Sequence, residues 1–275
     1  MTVPERPPTT SRIDVAPWLA RWNLTPDGAA FTTPFGSRLA PVLFEGEPAM
    51  LKIAGGPEER DGAAVMAWWA GGGAARVLRR ERDALLLERA TQPGTLADLV
   101  RAESDERATD IICQTAAALH APRPSPPPDT VRPLEIWFRA LEPAARTHGG
   151  LLDHAAAAAR RLLSDPREVA VLHGDLHHDN VLDFGPKGWL AIDPKGLVGE
   201  RGYDFANLFC NPWPEAAQPG RLARRLTQVA TTTSLDAARL RQWVLACVGL
   251  SAAWTLQGGG DPARALEIAA IVTAD

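Results

Sequence analysis

The chain has 275 residues and a formal net charge of −4, with 45% hydrophobic and 23% charged residues. These values are ordinary for a globular protein, so they exclude a disordered, collagen-like or other fibrous chain. The length is enough for one two-lobed domain or two smaller domains. No run of lysine and arginine marks a nucleic-acid surface or a polybasic membrane patch, so we expect a small molecule as partner, with no nucleic acid and no membrane.

The cysteines and the apolar runs favour a cytoplasmic protein. Cys113, Cys210 and Cys247 lie far apart in the sequence, are odd in number and show no metal-ligand spacing. The first residues are proline-rich and charged rather than apolar, and the longest apolar helical run, residues 243–256, is too short to span a bilayer. We take a monomer as the default expectation.

Residues 29–88 alternate short apolar runs with turn residues, which is typical of a small antiparallel sheet. We expect one helix within them, over residues 58–69, which ends at three glycines. The first eleven residues read as a loose tail. The expected strands cover residues 31–33, 39–44, 49–53, 76–80 and 84–88, with a turn at 45–48.

Beyond residue 94 the apolar residues follow helical spacing. We place the lobe boundary near residues 90–94, so that residues 1–90 form a strand-rich lobe and residues 91–275 a larger helical lobe. This order predicts an α+β fold. Ser234 is the expected N-cap of one helix. The expected helices cover residues 96–103, 108–120, 134–147, 151–163, 220–231, 234–256 and 262–272.

The segment 171–196, "VLHGDLHHDNVLDFGPKGWLAIDPKG", concentrates polar residues between two apolar runs. Residues 181–184 and 189–192 read as two strands around a turn. Pairing Phe184 with Trp189 would place Asn180 opposite Asp193, where cross-strand side chains lie roughly 5 Å apart. One hard cation could take an oxygen from each, and Mg²⁺ suits such a pair together with substrate phosphates. The hairpin therefore predicts a metal site.

Asp175 stands five residues before Asn180 in "HGDLHHDN". The spacing D-x-x-x-x-N is that of a kinase catalytic loop, in which the aspartate accepts the proton of the substrate hydroxyl and the asparagine holds a metal ion. Asp193 then takes the place of the second metal ligand. For His177, His178 and Asp179 a solvated turn without chemistry and a functional role both stay open.

A hydrolytic metal site is the alternative for this segment, with His173, His177, His178 and Asp193 as ligands. No H-E-x-x-H pattern accompanies these residues, and the rest of the chain offers that alternative no support.

A phosphotransferase needs a cation on the donor phosphates, and lysine is scarce in this chain, which has three. Lys52 lies between apolar neighbours in the strand "AMLKI" and is our candidate. Its orienting carboxylate should come from the following helix, where Glu58 and Glu59 compete. Glu59 shares a helix face with Ala63 and Met66, so we prefer it.

Two further segments complete the expected nucleotide site. The backbone near Glu88 and Ala90, at the junction of the lobes, could pair with adenine. The turn "TPFGS", with Gly36 and Ser37, should cover the phosphates, although it has one glycine where protein kinases have G-x-G-x-x-G. No G-x-x-x-x-G-K-[ST] sequence occurs, which argues against a P-loop enzyme.

These residues resemble the aminoglycoside phosphotransferase family, within it the streptomycin 6-phosphotransferase and hydroxyurea phosphotransferase branch. The resemblance runs from about residue 27 to the C-terminus and rests on "FTTPFGSRLAPVLFEGEPAMLKI", "LHGDLHHDN", "IDPKG" and "GERGYDFANLF". It implies a protein-kinase-like fold with residues 1–90 as the nucleotide-binding lobe. It also implies ATP with Mg²⁺ and phosphorylation of a hydroxyl on a small molecule, an aminoglycoside or hydroxyurea-type antibiotic.

The resemblance assigns roles to single residues. Asp175 is the catalytic base, Asn180 and Asp193 are the metal ligands, Lys52 binds phosphate, and Asp204 of "YDFANL" braces the catalytic loop. The arginine of protein-kinase H-R-D loops is replaced by Gly174, as in the small-molecule branch, so activation by loop phosphorylation is not expected.

The acceptor is open at this point. An acidic neighbourhood favours a cationic acceptor such as an aminoglycoside, and Trp137, Trp213 or Trp254 could line its pocket. A metal and nucleotide site would need carboxylates in any case. A kinase of a sugar or other metabolite, and a nucleotide-binding protein without catalysis, are the alternative functions. The carboxylates concerned are Asp175, Asp179, Asp183, Asp193, Glu200 and Asp204.

Overall fold

The computed structural model describes residues 13–34 and 36–274, so the expected tail over the first eleven residues lies outside it. Strands predominate up to residue 88 and helices beyond residue 95, as expected for an α+β fold. The strands are β1 (Thr25–Pro26), β2 (Phe31–Thr32), β3 (Arg38–Phe44), β4 (Glu47–Ile53), β5 (Val77–Glu81), β6 (Ala84–Glu88), β7 (Arg132–Pro133), β8 (Val169–Leu172), β9 (Val181–Asp183), β10 (Trp189–Ala191) and β11 (Leu197–Glu200). The helices are α1 (Ala16–Trp22), α2 (Pro57–Trp69), α3 (Leu96–Arg101), α4 (Asp105–His120), α5 (Leu134–Trp137), α6 (Leu141–His148), α7 (Leu151–Ser164), α8 (Arg221–Thr233), α9 (Ala237–Gln257) and α10 (Ala263–Ala274).

One antiparallel sheet forms the first lobe, in the order β1, β3, β4, β6, β5, with β2 paired to β3. The turn between β3 and β4 is shorter than expected, because it consists of Glu45 and Gly46 alone. Both have a positive φ, of 53° and 85°, as the two central residues of a type I′ hairpin turn require. The expected boundary at residues 90–94 lies in the segment between β6 and α3.

Alternation along β4 decides what faces the second lobe. Ala49, Leu51 and Ile53 are buried in a core on the outer face of the sheet. Successive side chains of a strand point to opposite faces, so Met50 and Lys52 lie on the inner face. The helix α1, which the sequence pattern missed because it has only seven residues, contributes Trp22 to the outer core.

The second lobe is built around α9. This helix has buried residues around most of its circumference, which is typical of a central core helix. It packs against α7, α10 and a 3₁₀ segment, Arg201–Cys210, which follows β11. Two small sheets complete the lobe: the hairpin of β9 and β10, and the strands β7, β11 and β8 in that order.

The helix α4 begins at Asp105 rather than at the expected residue 108, and two further helix predictions are wrong. The helix expected over 134–147 is interrupted by a 3₁₀ turn at Phe138–Ala140. Pro143 has no N–H to bond the carbonyl four residues earlier, so it lies in the first turn of α6 rather than inside one continuous helix. Ser234 is not an N-cap: it has φ 57° and ends α8, whereas the Asp236 side chain caps α9 by accepting from the Arg239 N–H.

Among the described residues, no helix combines the length and the apolar character that crossing a bilayer requires.

Candidate active site

Lys52 lies between two carboxylates at the inner face of the sheet. Its Nζ forms a short hydrogen bond to Oδ1 of Asp193 and lies 3.6 Å from Oε1 of Glu59. Glu58 points elsewhere, since its carboxylate accepts from Arg132 at 3.3 Å. Of the two candidate partners from α2, the structure therefore brings Glu59 to Lys52.

The turn before β3 holds Glu59 in place. The Ser37 hydroxyl is fully buried and bonds the Glu59 carboxylate, and both accept from the Gly55 N–H. Because its hydroxyl is used in this way, the geometry favours an indirect role for Ser37 rather than direct phosphate contact. Gly36 adopts φ 93° and donates its N–H to the Thr33 carbonyl at 3.0 Å.

The predicted register of the β9–β10 hairpin is wrong by one residue. Trp189 pairs with Asp183 instead of Phe184. Phe184 belongs to the turn, where its N–H donates to the Gly188 carbonyl at 2.9 Å, and the residues between them form a 3₁₀ turn. The sequence pattern did not separate a strand residue from a turn residue at this position.

The corrected register moves Asn180 and Asp193 from directly opposite to diagonal positions. Ile192 lies opposite Asn180 and donates its N–H to the Asn180 carbonyl at 2.9 Å. Asp193 follows with φ 63°, a left-handed conformation that non-glycine residues adopt rarely and mostly at functional sites. The Asp193 side chain bonds Lys52, and Asn180 lies diagonally across the hairpin from it.

The charge state of Asp193 follows from its neighbours. Burial acts to raise the pKa of Asp193, but the charge and hydrogen bond of Lys52, with the charge of Lys195, outweigh it and lower the pKa. The carboxyl group is therefore ionised at neutral pH, which metal coordination requires.

Both carboxylate oxygens of Asp175 are held by donors that the sequence did not single out. Asn207 Nδ2 donates to Oδ1 at 2.5 Å, and Lys195 Nζ lies 3.1 Å from Oδ2. Asn180 Nδ2 donates to the Asp175 backbone carbonyl at 2.8 Å, which closes the D-x-x-x-x-N loop on itself. The scarcity of lysine was a signal for Lys195; no signal marked Asn207.

Asp204 braces this loop. Its oxygens accept from the backbone N–H groups of His173 and Gly174 at 2.9 and 2.7 Å, and His120 Nε2 lies 2.8 Å away. Burial acts to raise the pKa of Asp204, yet these partners hold it below its ordinary value. Asp204 and Glu200 are buried in such contacts, so for these two the structure favours the alternative in which the carboxylates serve the fold.

The histidines do not form the alternative metal site. His173 is buried, and its Nε2 bonds the Ile192 carbonyl at 2.7 Å. His178 is fully buried, so it is not part of a solvated turn, and burial lowers its pKa to about 2. Among the residues with described positions, no three His, Cys, Asp or Glu side chains are arranged to hold a metal ion. His177 faces Asn180: the Nε2 atom of His177 lies 3.2 Å from the Nδ2 atom of Asn180.

A cavity of about 320 Å³ lies between the sheet and the β9–β10 hairpin, with Lys52, Glu59 and Asp193 in its wall. Glu88 and Ala90 also line it. The Glu88 N–H donates to the Arg76 carbonyl at 3.1 Å, so it is not available to a ligand, whereas no hydrogen bond within the described residues uses the Ala90 N–H. The apolar walls come from Leu39, Met50 and Leu87 on the sheet side and Leu182, Phe184 and Ile192 on the hairpin side.

The three tryptophans considered for an acceptor pocket lie in two places. Trp137 and Trp254 pack edge to face, with their ring centroids 5.1 Å apart. Trp137 Nε1 donates to the Tyr203 hydroxyl at 2.8 Å. Trp213 lies under the guanidinium of Arg264. Among the described residues, the polar partners of the Asp175 carboxylate include none of these tryptophans, so their role in acceptor binding stays a prediction.

Known proteins with similar sequences are antibiotic kinases. Residues 21–259 match the family model described as aminoglycoside/hydroxyurea antibiotic resistance kinase. A streptomycin 3''-kinase of Klebsiella pneumoniae is 49% identical, over 88% of this chain and 92% of that protein. A streptomycin 6-kinase of Streptomyces glaucescens is 33% identical over 93% and 85%, and a hydroxyurea phosphotransferase of Kitasatospora aureofaciens is 32% identical over 94% and 77%.

Solved structures of similar shape have the protein-kinase-like fold. The aminoglycoside phosphotransferase APH(4)-Ia, in a ternary complex with ADP and hygromycin B, has a TM-score of 0.65 at 16% identity, covering 94% of this chain and 97% of that one. A choline kinase of Cryptosporidium parvum has a TM-score of 0.59 at 12% identity, covering 91% and 88%. The fold expectation is confirmed. From its sequence, fold and site, the chain belongs to the aminoglycoside/hydroxyurea antibiotic resistance kinase family and is a small-molecule phosphotransferase.

Proposed function

We propose that this protein transfers the γ-phosphoryl group of ATP to a hydroxyl of streptomycin, with the 3''-hydroxyl as the favoured position. The identity of 49% with a streptomycin 3''-kinase, over most of both chains, supports this substrate and this position. The observation that carries the chemistry is the ion pair of Lys52 with Asp193 in the wall of the cavity, together with the ion pair of Lys195, two residues after Asp193, with Asp175.

ATP would enter the cavity between sheet and hairpin with its adenine toward Glu88 and Ala90. The apolar walls suit a flat ring, and the Ala90 N–H is an available donor for one of its nitrogens. Lys52 lies three residues along β4 from Ala49, which pairs with Glu88, so its cation would contact the donor phosphates. Glu59 orients Lys52 by an ion pair that Ser37 and Gly55 support.

Asn180 and Asp193 fit the Mg²⁺ ion that this reaction needs. An amide oxygen and an ionised carboxylate are the hard ligands that magnesium prefers. Within the described part of the chain no donor bonds Asn180 Oδ1 or Asp193 Oδ2, so each residue retains a ligand atom. When bound, the ion would neutralise charge on the donor phosphates.

Asp175 would align the acceptor hydroxyl and accept its proton. Phosphoryl transfer has a loose transition state, so the protein contributes mainly by positioning and by neutralising charge. The two donors on its carboxylate, Asn207 and Lys195, hold Asp175 in one orientation before the acceptor arrives.

The test measures ADP release from ATP with streptomycin, other aminoglycosides, hydroxyurea and simple sugars, with Mg²⁺ or with EDTA. We expect Mg²⁺-dependent stimulation by streptomycin, loss of it in Asp175→Asn, and a product phosphorylated at the 3''-hydroxyl by ³¹P-coupled NMR. Stimulation by hydroxyurea alone would move the assignment to the function named for the relative of Kitasatospora aureofaciens. Stimulation by a sugar alone would overturn an antibiotic substrate.

We further propose that the protein acts in the cytoplasm as a monomer and binds no nucleic acid. ATP is supplied in that compartment, and the net charge of −4 does not favour a polyanion. Light scattering after size-exclusion chromatography tests the monomer against a calculated mass of 29.5 kDa.

A further inference from the structure

Lys195 carries a charge that its proposed role of orienting Asp175 does not require. Its Nζ lies 3.1 Å from Oδ2 of Asp175, and the side chains of both residues are about a quarter exposed. The other oxygen of Asp175 is held by Asn207 at 2.5 Å. Asp175 is thus already oriented by a neutral donor. A second donor with a full positive charge therefore suggests a role beyond orienting this carboxylate.

The backbone around Lys195 is built to bring its side chain over the catalytic loop. The Lys195 N–H donates to the His173 carbonyl at 2.7 Å, which ties the two segments together. Gly174, between His173 and Asp175, has φ 80°, and a Cβ at this position would lie 2.7 Å from Leu197 Cδ1 and 3.2 Å from Lys195 Cβ. Glycine therefore leaves the space that the stem of Lys195 occupies.

The charges around Lys195 place it between two sides of the site: the donor side, which would hold the phosphates of ATP, and the acceptor side, which would hold the substrate hydroxyl. Lys52 is engaged by Asp193 and Glu59 on the donor side, and Asp175 marks the acceptor side. Lys195 is the cation paired with Asp175 on that acceptor side. The phosphoryl group travels from the γ position of ATP to an acceptor hydroxyl that is aligned by Asp175. It must therefore pass within a few ångströms of Asp175, and so within reach of Lys195.

We propose that Lys195 is a further catalytic residue, which donates a hydrogen bond to an equatorial oxygen of the phosphoryl group during its transfer. This inference rests on the proposed function. As the bond from phosphorus to the acceptor oxygen forms, the bond from phosphorus to the bridging oxygen of ADP breaks, and ADP keeps that electron pair. The acceptor proton goes to Asp175, and Lys195 moves from its contact with that carboxylate to the phosphoryl oxygen. Its proton stays on Nζ throughout.

The experiment separates contact with the phosphoryl group from support of Asp175. It uses Lys195→Met, Lys195→Gln, Asp175→Asn and the double variant Asp175→Asn with Lys195→Met. The control is Arg160→Met, which removes a cation from an exposed ion pair with Glu142 on the helical lobe. For each protein we would measure kcat and KM for transfer to streptomycin, acceptor-free ATP hydrolysis, ATP affinity and the unfolding temperature.

Removing one preorganised donor from a developing charge costs about 100-fold in kcat, so we expect this loss in Lys195→Met, with the KM for ATP within about 3-fold of wild type. Lys195→Gln keeps a donor for Asp175 but no charge and should stay at least about 10-fold below wild type. In the Asp175→Asn background, Lys195→Met should lower ATP hydrolysis a further 10-fold or so, because the two residues act on different atoms.

Three results would overturn the inference. A wild-type kcat in Lys195→Met would show that the charge is not used. Full activity in Lys195→Gln, or no further loss in the double variant, would show that Lys195 acts only by holding Asp175. If wild type hydrolyses ATP but does not phosphorylate streptomycin, the proposed substrate fails, and the hydrolysis rates still decide the role of Lys195. Lys195→Gln provides the decision if Lys195→Met does not fold.

Discussion

Gly62 of α2 packs against the backbone carbonyl of Pro194, so closely that a Cβ built on Gly62 would lie 1.9 Å from that oxygen. This contact joins the helix that carries Glu59 to the loop that carries Asp193. A side chain added at Gly62 would push α2 away from the loop, and Lys52 forms ion pairs with a carboxylate from each of them.

Gly62→Ala should therefore lower activity through a displacement of α2. Overpacking costs about 1–3 kcal/mol of stability, and moving Glu59 away from Lys52 should reduce kcat/KM for ATP by 10-fold or more. Gly56→Ala, in open space at the start of the same helix, is the control and should retain most activity. Normal ATP kinetics in a folded Gly62→Ala protein would contradict the role assigned to this contact.

Glu59→Gln and Glu58→Gln form a matched pair of changes on adjacent residues. Glu59 lies beside Lys52, and Glu58 pairs with Arg132 at an exposed position. We expect Glu59→Gln to lower kcat/KM for ATP about 10-fold or more and Glu58→Gln to stay within about 2-fold of wild type, because an exposed ion pair contributes little. Steady-state kinetics with varied ATP would measure both, and equal effects would remove the distinction between them.

Asp175→Asn should leave ATP binding within about 3-fold of wild type and lower kcat by about 1,000-fold or more, because the acceptor loses its proton acceptor while the nucleotide contacts stay. ATP affinity by calorimetry and turnover by ADP release would check the two parts. Turnover near the wild-type rate would exclude Asp175 as the base.

Glu200 should make stability depend on pH. It is buried, bonds Arg239 and accepts from Trp243 Nε1 at 2.8 Å. Burial acts to raise the pKa of Glu200, but the hydrogen bonds and the charge of Arg239 hold it below its ordinary value. The stabilisation is therefore complete above the pKa that Glu200 has in the unfolded chain, about 4.3. It is lost as pH falls through the lower pKa that Glu200 has in the folded protein.

Glu200→Gln should accordingly lower the unfolding free energy by about 2–4 kcal/mol at pH 7, since it leaves Arg239 without its charged partner. The difference between wild type and variant should be constant from pH 7 to about 5 and decrease below about 4. Urea unfolding across this range would measure it, with Glu142→Gln at an exposed ion pair as the control. A difference that does not decrease in acid would assign the stabilisation to packing rather than charge.

Much of the site could be predicted because it depends on the residue spacing within single strands, helices and loops. Alternation along β4 is sufficient to put Leu51 on the outer face of the sheet and Lys52 on the inner face. Helical spacing along α2 is sufficient to favour Glu59 over Glu58 as the partner of Lys52. The D-x-x-x-x-N spacing of Asp175 and Asn180 lies within one loop, so their proximity follows from covalent geometry.

Other features depended on contacts between segments that are distant in sequence. The hairpin register was set by a 3₁₀ turn that took Phe184 out of the strand, and His178 was buried by packing rather than by any local pattern. Asn207 reaches Asp175 across 32 residues, and Lys195 reaches it across a loop where Gly174 leaves room. Local sequence determines which face a side chain takes. Which charges finally meet depends on how the lobes and helices pack, because packing brings segments that are distant in sequence within hydrogen-bond distance.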